Sequence, residues 1–403
     1  MTPGLVITGA GIAAAGAVGV PAFEAVLRAG RTAIVEDPAP GIRRAALLSE
    51  AAFAPAAPAD SAAARALRGA NRAARSAVAV AGEACAMAGL ADRGAAALVV
   101  AGHNLAPAAT AETLREFADR PRFAPPRHGV QSWDSHVLGV VSAVLGLRGP
   151  GMLAGGHFAS GIAALALAAL LLRSGEAEVA VCVAPCVEPT SVDLHALANL
   201  GATASLADEA APYQPFGAGQ SGFVLGQGAA ALVVETAVHA SRRGVPVLAG
   251  LGAATIRLAG TAGPEPDGDT EARVMRAAVA AAGLAAADIG YVNAHATGTP
   301  AGDAVEIAAI RAVFGDGGPR VNATKALAGH TLFAAGLVGA VATILQLRGR
   351  FLHADPYLLA PPPGLAMAGP GGGALDAGAA LCNAFGFDGI NGAAVLIRGA
   401  TGS

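Results

Sequence analysis

The chain has 403 residues, with 26 Lys and Arg against 29 Asp and Glu, which gives a formal net charge of −3. That balance excludes a general nucleic-acid binder, which would carry an excess of basic residues. Hydrophobic residues make up 54% of the chain, but alanine contributes much of that share, so the composition does not indicate a membrane protein.

Local patterns agree with this interpretation. The longest apolar run extends from Ile162 to Leu172, which is shorter than the about 20 residues that a bilayer span needs. The N-terminus lacks a basic region followed by an apolar stretch, as a secretory signal would have. The four cysteines lack the paired spacing of a zinc site. We therefore expect a cytoplasmic protein with reduced thiols, no metal and no membrane partner.

Short β-rich stretches alternate with alanine-rich stretches along the chain. The pattern predicts strands at residues 5–9, 97–101, 178–183, 229–235, 246–252, 290–294, 320–324 and 393–397. It predicts helices at residues 61–88, 160–174 and 270–282. Strands that alternate with helices indicate an α/β protein built in layers.

Three C-terminal segments carry the most specific signal. The first is Tyr291-Val-Asn-Ala-His-Ala-Thr-Gly-Thr-Pro-Ala-Gly-Asp303. The second is Asn322-Ala-Thr-Lys-Ala-Leu-Ala-Gly-His-Thr-Leu-Phe-Ala-Ala-Gly336, and the third is Cys382-Asn-Ala-Phe-Gly-Phe-Asp-Gly-Ile-Asn391. In order and spacing they resemble the first histidine motif, the lysine and second-histidine motif, and the phenylalanine loop of β-ketoacyl synthases.

The resemblance covers nearly the whole chain and implies a thiolase-like α/β fold, a five-layer αβαβα arrangement of two related halves. We place an N-terminal ketosynthase-like half at residues 1–245 and a C-terminal one at residues 246–403. Proteins of this type form dimers. The only tryptophan, Trp133, falls near the implied interface, where it either lines an acyl tunnel or fills core volume.

The implied nucleophile position departs from the family pattern. In the family, a cysteine lies at the N-terminus of a long buried helix, where the local positive potential favours the thiolate. Here the segment reads His157-Phe158-Ala159-Ser160-Gly161, and both flanks fix the register. We therefore interpret Phe158 as the replacement of that cysteine, and a benzyl group cannot form an acyl-enzyme intermediate. Ser160 is expected to pack its hydroxyl against backbone.

The resemblance also implies a catalytic group of histidines. In the family, two imidazoles hold the malonyl thioester carbonyl and stabilise the enolate that forms as carbon dioxide leaves. His295 and His330 match them; the alternative is that they are packed polar groups of the core. Lys325 is expected to act electrostatically, with Glu306 as its partner, since a buried ammonium needs a carboxylate.

A substrate site is implied around these histidines. Thr297 and Thr299 match family positions that hydrogen-bond the phosphopantetheine arm of an acyl carrier protein, although capping and turn bonds are the alternative. Phe385, Phe387 and Phe333 complete the predicted site, and the resemblance implies an oxyanion hole formed by the backbone N–H groups of Phe158 and Phe387. No bound cofactor is expected, because the arm itself carries the substrate.

Three further departures from the family pattern lie beside this site. Ala296 and Asp388 replace glycines, and Phe333 replaces a small residue. Asp388 and Phe333 add charge or bulk, and the departures together count against full catalytic competence.

A basic segment precedes these motifs. Arg65, Arg68, Arg72 and Arg75 recur at three- and four-residue steps, which would place four guanidinium groups along one helix face. A solvated basic face is the default interpretation. The segment also corresponds to the region where related synthases dock acidic carrier proteins, so electrostatic steering of that partner is the alternative.

We interpret the chain as a non-condensing subunit resembling a chain-length factor. It would pair with a cysteine-bearing ketosynthase as a heterodimer and shape the acyl pocket in polyketide, polyene or fatty-acid-type biosynthesis on an acyl carrier protein. An alternative is decarboxylation of a malonyl-carrier thioester, or another acyl-thioester reaction, by His295, His330 and Lys325. A second alternative is a non-catalytic acyl-binding homodimer. Retained histidines favour decarboxylation, whereas the bulk of Phe158 and Phe333 favours the partner role.

Overall fold

The structure is a computed structural model that describes residues 4–39, 41–55, 62–207 and 212–399. Its strands are β1 (Leu5–Ala14), β2 (Ala17–Val18), β3 (Val35–Ala39), β4 (Ile42–Ala46), β5 (Ala97–Ala101), β6 (Gly151–Ala154), β7 (Val179–Ala184), β8 (Leu225–Gly226), β9 (Gly228–Thr236), β10 (Ala249–Leu258), β11 (Ile289–Asn293), β12 (Arg320–Asn322), β13 (Phe351–Leu352), β14 (Ala366–Met367), β15 (Gly373–Ala374), β16 (Ala379–Phe385) and β17 (Ile390–Arg398).

The helices are α1 (Val20–Ala29), α2 (Ala62–Arg68), α3 (Arg72–Met87), α4 (Pro107–Asp119), α5 (His128–Gln131), α6 (Ser135–Leu145), α7 (Ser160–Arg173), α8 (Ser191–Asn199), α9 (Ala237–Arg243), α10 (Gly268–Ala281), α11 (Pro300–Phe314), α12 (Lys325–Ala328) and α13 (Ala335–Gly349). Short 3₁₀ turns lie at Glu50–Phe53, His157–Ala159, Ala286–Asp288 and Leu332–Ala334. Each predicted strand and helix corresponds to an observed element of the same type, with one exception. The helix predicted at residues 61–88 is two helices, α2 and α3, in its described part, and residue 61 lies outside the described residues.

The large sheet consists of two sets of strands with the same topology. The N-terminal set has the order β6-β5-β7-β9-β1, and the C-terminal set has the order β12-β11-β16-β17-β10. In both sets the first three strands are parallel and the last two pair antiparallel. The two sets meet at β1 and β10, where Val6 pairs with Gly250 and Ile7 with Ala249. The chain is therefore an α/β protein of two related halves.

Helices cover both faces of each strand set. Helices α3 and α6 pack on the outer face of the N-terminal strands, and α10, with α11 against it, packs on the outer face of the C-terminal strands. Helices α7 and α13 contact strands of both sets and lie between them. The order of layers is helix, sheet, helix, sheet, helix. Because both faces are covered, β5 and β7 are buried at every residue, which explains their continuous apolar sequence.

The central layer contains the one helical segment, among the described residues, that is long and apolar enough to cross a membrane. It extends over Leu332–Gly349, and 83% of it is buried inside the protein. Burial on all sides accounts for its apolar composition, because a core helix between two sheets exposes no polar face.

The two central helices approach each other closely at Gly161 of α7 and Gly336 of α13. A Cβ added to Gly161 would lie 2.5 Å from the backbone nitrogen of Leu337. This contact fixes the N-terminus of α7 against the N-terminus of α13, and both helices begin at the site described below.

We expect Gly161→Ala to destabilise the fold by about 1–3 kcal/mol, because the new methyl group collides with backbone that cannot move away. Urea unfolding measures the change. The matched control is Gly139→Ala in α6, an exposed glycine with no atom near its added Cβ. That control should gain about 0.5–1 kcal/mol from helix propensity. Equal stability of the two variants would contradict the close approach.

Candidate functional site

Phe158 lies in the 3₁₀ turn between β6 and α7, and its side chain is 5% exposed. Its ring centroid is 4.4 Å from that of His330, 5.4 Å from that of Phe387 and 6.1 Å from that of Phe223. A buried benzyl group therefore fills the space at the N-terminus of α7 and covers one face of the His330 imidazole.

The hydroxyl of Ser160, two residues after Phe158, already makes a hydrogen bond. Ser160 is fully buried, and its Oγ donates a hydrogen bond to the carbonyl oxygen of His157 at 2.6 Å. The hydroxyl packs against backbone as predicted, which leaves it poorly placed to attack a substrate.

His295 follows β11 and His330 follows α12, and their ring centroids are 5.5 Å apart at an interplanar angle of 85°. Burial, reinforced by the nearby Lys325, holds the pKa of both imidazoles well below the ordinary value. Both rings are therefore neutral. The N–H of Leu332 donates to Nδ1 of His330 at 3.0 Å, which places the proton of that ring on Nε2. This Nε2 is buried without a protein partner.

Lys325 is anchored to His295 rather than to a carboxylate. Its Nζ donates to the carbonyl oxygen of His295 and lies 3.3 Å from Nδ1 of the same residue. Burial lowers the pKa of Lys325 to about 8, while the charge of Glu306 raises it. The lysine therefore fixes both the backbone and the ring of His295.

Glu306 interacts electrostatically with Lys325, as predicted, but through its charge and not through a direct ion pair. Its Oε1 accepts from the N–H of His295 at 2.8 Å and from the Nδ2 of Asn383 at 3.0 Å, and its Oε2 accepts from the N–H of Ala296 at 2.6 Å. These three donors occupy the carboxylate and fix the conformation of the loop that carries His295, the histidine loop. Glu306 therefore acts on Lys325 only as a nearby charge. Burial raises the pKa of Glu306, and its hydrogen bonds oppose that rise.

A second carboxyl orders the same loop. Asp303 accepts from the N–H of Phe216 at 2.6 Å and from the N–H of Gly298 at 3.0 Å. Burial raises the pKa of Asp303 to about 7, although both hydrogen bonds lower it. The loop that carries His295 is therefore held at both ends by buried carboxyl groups.

Non-glycine residues with positive φ cluster around the site. They are His157 at 49°, Ala296 at 35°, Leu332 at 50° and Asp388 at 57°. Such conformations are uncommon for residues with a Cβ and persist where the surrounding contacts impose them. The turn before α7 and the loops that carry the two histidines are thus held by tertiary contacts and not by local preference.

A cavity of about 240 Å³ opens beside these groups. Of the predicted site residues, it is lined by Phe158, His295, Thr297, Thr299, Glu306, Phe385 and Phe387. Thr297 and Thr299 bond each other through their hydroxyls at 2.9 Å. Their side chains reach the cavity and one another, so both the predicted substrate contact and its turn-bond alternative have a counterpart in the geometry.

Three predicted site residues do not line this cavity: His330, Phe333 and Lys325. His330 is screened from it, with Phe158 and Phe223 against its ring. Phe333 is part of an aromatic group instead, with its ring 4.5 Å from His103 and 6.4 Å from Phe158. The predicted contact of Phe333 with substrate therefore has no support from the cavity lining.

The phenylalanine loop is held against the Phe158 turn. The rings of His157 and Phe387 stack at 4.9 Å, and the N–H of Phe387 points to Nδ1 of His157 at 3.4 Å. That N–H, one of the two predicted oxyanion donors, therefore already has a partner. Asp388 ties the loop to a second segment, since its Oδ1 accepts from the N–H of Gly263 at 2.9 Å.

The prediction of one helix face with four arginines is wrong. Helix α2 ends at Arg68, and Asn71 begins α3 because its side-chain oxygen accepts from the N–H of Ala74 at 2.9 Å. Arg65 and Arg68 are exposed on α2.

The other two arginines have local partners on α3. Arg72 pairs with Glu50 and Glu188 at 3.0 Å each and stacks on Phe53 at 3.7 Å. Arg75 donates to a backbone carbonyl at 3.1 Å. Of the predicted carrier-docking surface, the structure leaves Arg65 and Arg68 as the exposed part.

Comparison with known proteins identifies the family. Residues 3–240 match the profile of the β-ketoacyl synthase N-terminal domain, and residues 247–356 match that of the β-ketoacyl synthase C-terminal domain. The chain belongs to the β-ketoacyl synthase family. The resemblance stated from the three motifs is thereby confirmed.

Curated relatives include a malonyl-ACP decarboxylase and condensing synthases. The chain is 34% identical over 266 residues to the polyketide biosynthesis malonyl-ACP decarboxylase PksF of Bacillus subtilis, a match that covers 65% of this chain and 64% of that protein. It is 34% identical over 289 residues to 3-oxoacyl-[acyl-carrier-protein] synthase 2 of Vibrio harveyi, with 68% of each chain covered. The matched stretches thus span about two thirds of these relatives.

Solved structures match over the whole chain. A β-ketoacyl synthase from Burkholderia phymatum has a TM-score of 0.87 at 28% identity, with 99% of this chain and 100% of that chain covered. The ishigamide ketosynthase/chain length factor has a TM-score of 0.87 at 25% identity, with 100% of both chains covered. These neighbours confirm the predicted thiolase-like architecture.

None of the four cysteines offers a substitute nucleophile. All four are buried, and burial raises the pKa of Cys85 to about 11 and that of Cys182, Cys186 and Cys382 to about 12. A thiol with such a pKa is almost entirely protonated at neutral pH and therefore unreactive.

The residues that sequence patterns did not single out are His103, Phe223 and Glu271. His103 and Phe223 contact Phe333 and His330 from distant parts of the chain. Glu271 lines the cavity from the first turn of α10. Glu271 lies in no motif, and its only sequence signal is a carboxyl at an otherwise apolar helix position.

Proposed function

We propose that the chain is a non-condensing subunit that pairs with a cysteine-bearing ketosynthase and shapes the acyl pocket in polyketide, polyene or fatty-acid-type biosynthesis on an acyl carrier protein. The observation that carries the proposal is the position of Phe158 in the turn before α7, 4.4 Å from His330, where the family resemblance implies the nucleophilic cysteine. A covalent acyl intermediate needs a nucleophile at that point, and the benzyl group supplies none.

The rest of the site supports a retained scaffold with altered chemistry. Four hydrogen bonds hold His295, its loop and Lys325 in place. The imidazole of His330, in contrast, packs against the Phe158 ring. Paired donors aimed at one oxyanion must both reach it. Phe158 packs against His330, so of the two imidazoles only that of His295 lines the cavity.

The surface supports pairing with another subunit. In the described part of the chain, β6 pairs with β5 on one side and with no strand on the other. Its Met152 and Leu153 are 38% and 39% exposed, and Trp133, expected to fill core or line a tunnel, is 66% exposed. An unpaired strand edge with apolar side chains is a template for another chain, and exposed aromatic residues are typical interface anchors.

The similarity to the ishigamide ketosynthase/chain length factor supports the same proposal, since the match covers both chains completely. The cavity with Thr297 and Thr299 would receive the phosphopantetheine arm, and the exposed Arg65 and Arg68 would steer the acidic carrier protein. The 1–245 and 246–403 halves would contribute Phe158 and the histidines respectively, so the site requires both.

Co-expression with the cysteine-bearing ketosynthase encoded nearest to this chain tests the proposal. We expect a 1:1 complex by co-purification and light scattering, and condensation only when both chains are present. Leu153→Arg on β6 should weaken the complex about tenfold or more, because a buried unpaired charge costs at least about 1.4 kcal/mol. The matched control, Val238→Arg, changes an equally apolar residue that is 67% exposed on α9. A stable homodimer that never pairs would refute the proposal.

Malonyl-carrier decarboxylation is a second candidate function. Two observations favour it: His295 lines the cavity, and the Bacillus subtilis relative at 34% identity is a malonyl-ACP decarboxylase. Incubation of the pure protein with malonyl-carrier, followed by mass spectrometry of acetyl-carrier, tests it. Turnover no greater than that of a His295→Ala, His330→Ala double variant would remove this candidate.

A further inference from the structure

Glu271 is a buried carboxyl that faces the cavity without a full set of partners. It lies in the first turn of α10, its side chain is 2% exposed, and its Oε2 has no hydrogen-bond partner. Carboxyl groups are almost never buried unless they are paired, because the lost hydration is not replaced. Glu271 therefore has a free acceptor position at the wall of a ligand cavity.

The charged neighbours of Glu271 are carboxyl groups. Burial and, to a smaller extent, the charges of Glu306, Asp267 and Asp303 together raise the pKa of Glu271 to about 9. The described lining of the cavity adds Glu265 and contains no lysine or arginine. His295 is neutral, and the charge of Lys325 lowers the pKa of Glu306 but not that of Glu271.

The other carboxyl groups of the lining are already used or solvated. Asp267 accepts from the N–H of Thr270 at 2.7 Å as the cap of α10. Glu306 accepts three hydrogen bonds within the histidine loop, and Glu265 is exposed. Of these carboxyl groups, Glu271 is the one with a buried oxygen that lacks a hydrogen-bond partner and that a ligand in the cavity would supply with a donor.

We propose that Glu271 is a specificity-determining residue that selects acyl groups bearing a positively charged amine over acyl groups bearing a carboxylate. The proposal rests on the proposed function only in that the cavity receives the carrier arm. Glu271 is protonated at neutral pH because its pKa is about 9. An ammonium that donates to the free Oε2 lowers that pKa, so the proton of Glu271 leaves to solvent and the resulting carboxylate forms an ion pair with the ammonium. A ligand carboxylate instead adds a negative charge beside Asp267 and Glu306, which like-charge repulsion disfavours.

Three pantetheine analogues of similar size test this selection in the full-length protein. They carry β-alanyl, butyryl or malonyl groups through an amide in place of the thioester, so that they resist hydrolysis, and calorimetry gives the dissociation constants. We expect the β-alanyl analogue to bind about tenfold tighter than the malonyl analogue, with butyryl between them, as one partly screened charge contact predicts.

Glu271→Gln keeps the shape of the side chain and should reduce that ratio to about threefold or less. Glu265→Gln changes the exposed carboxyl of the same lining, where solvent screens the charge, and should leave most of the ratio intact. Glu271→Gln should not lower the melting temperature, which separates loss of selection from loss of folding.

Equal or tighter binding of the malonyl analogue by the wild-type protein would overturn the proposal, as would an unchanged ratio in Glu271→Gln or no binding of all three analogues. Each result is independent of the pairing test, since it concerns the cavity of the isolated chain. Tighter malonyl binding would also favour the decarboxylase candidate over the partner role.

Discussion

The Phe158→Cys variant should gain a thiol that iodoacetamide alkylates about 100-fold faster than any cysteine of the wild-type protein. The new thiol would lie at the N-terminus of α7 beside His330, where the helix end and the nearby imidazole favour the thiolate. The existing cysteines provide a low background, because burial raises the pKa of each to about 11 or about 12. Intact-mass kinetics with one added carbamidomethyl group give the rate.

Removing the benzyl group also has a cost in stability. Phe158 fills buried volume among Phe223, His330 and Phe387, so Phe158→Cys should lose about 2–4 kcal/mol of unfolding free energy. Phe158→Ser leaves the same cavity without a thiol and controls for general loosening of the fold. Alkylation of the serine variant gives the rate at which the label reaches the original cysteines. A rate for Phe158→Cys no faster than this background would contradict the assignment of Phe158 to the nucleophile position.

Glu306→Ala should destabilise the protein by about 3–5 kcal/mol. The substitution leaves the N–H groups of His295 and Ala296 and the Nδ2 of Asn383 buried without an acceptor, and it removes a nearby charge from Lys325. Ala296 is held at φ 35° by this contact, so the loop should relax as well. Urea unfolding measures the loss.

The control for this prediction is Glu24→Ala. Glu24 pairs with Arg28 one turn along α1 at 2.7 Å, and both side chains are partly exposed. An exposed pair of this kind contributes about 0.3–0.5 kcal/mol. A loss below about 1 kcal/mol for Glu306→Ala, close to that of the control, would show that the carboxylate does not hold the histidine loop.

The fold was largely predictable because its signals are local. Alternating strand and helix patterns gave the α/β class, and three motifs in fixed order identified the family. The prediction of one helix at residues 61–88 missed an internal helix boundary. The side chain of Asn71 caps the N-terminus of α3, so a new helix begins after Gly69. Helix propensity alone does not distinguish a continuous alanine-rich helix from two helices separated by a cap.

The site was predictable where motifs place residues in loops, and not where the contacts are tertiary. Phe158, His295, Thr297 and Phe387 meet at one cavity as expected. Lys325 and Glu306 interact through their charges as expected, but they make no direct ion pair, because backbone and amide donors occupy the carboxylate.

Glu271 reaches the site across the fold, from a helix that carries no motif. Its free Oε2 becomes visible only when the hydrogen bonds of the packed structure are known.

The central claim is that this chain carries no acylated nucleophile and relies on its partner for condensation. The most direct measurement exposes the co-purified pair to an acyl-carrier thioester and determines the intact mass of each chain. The account predicts one acyl group on the cysteine-bearing partner and an unchanged mass for this chain. An acyl adduct on this chain would contradict it.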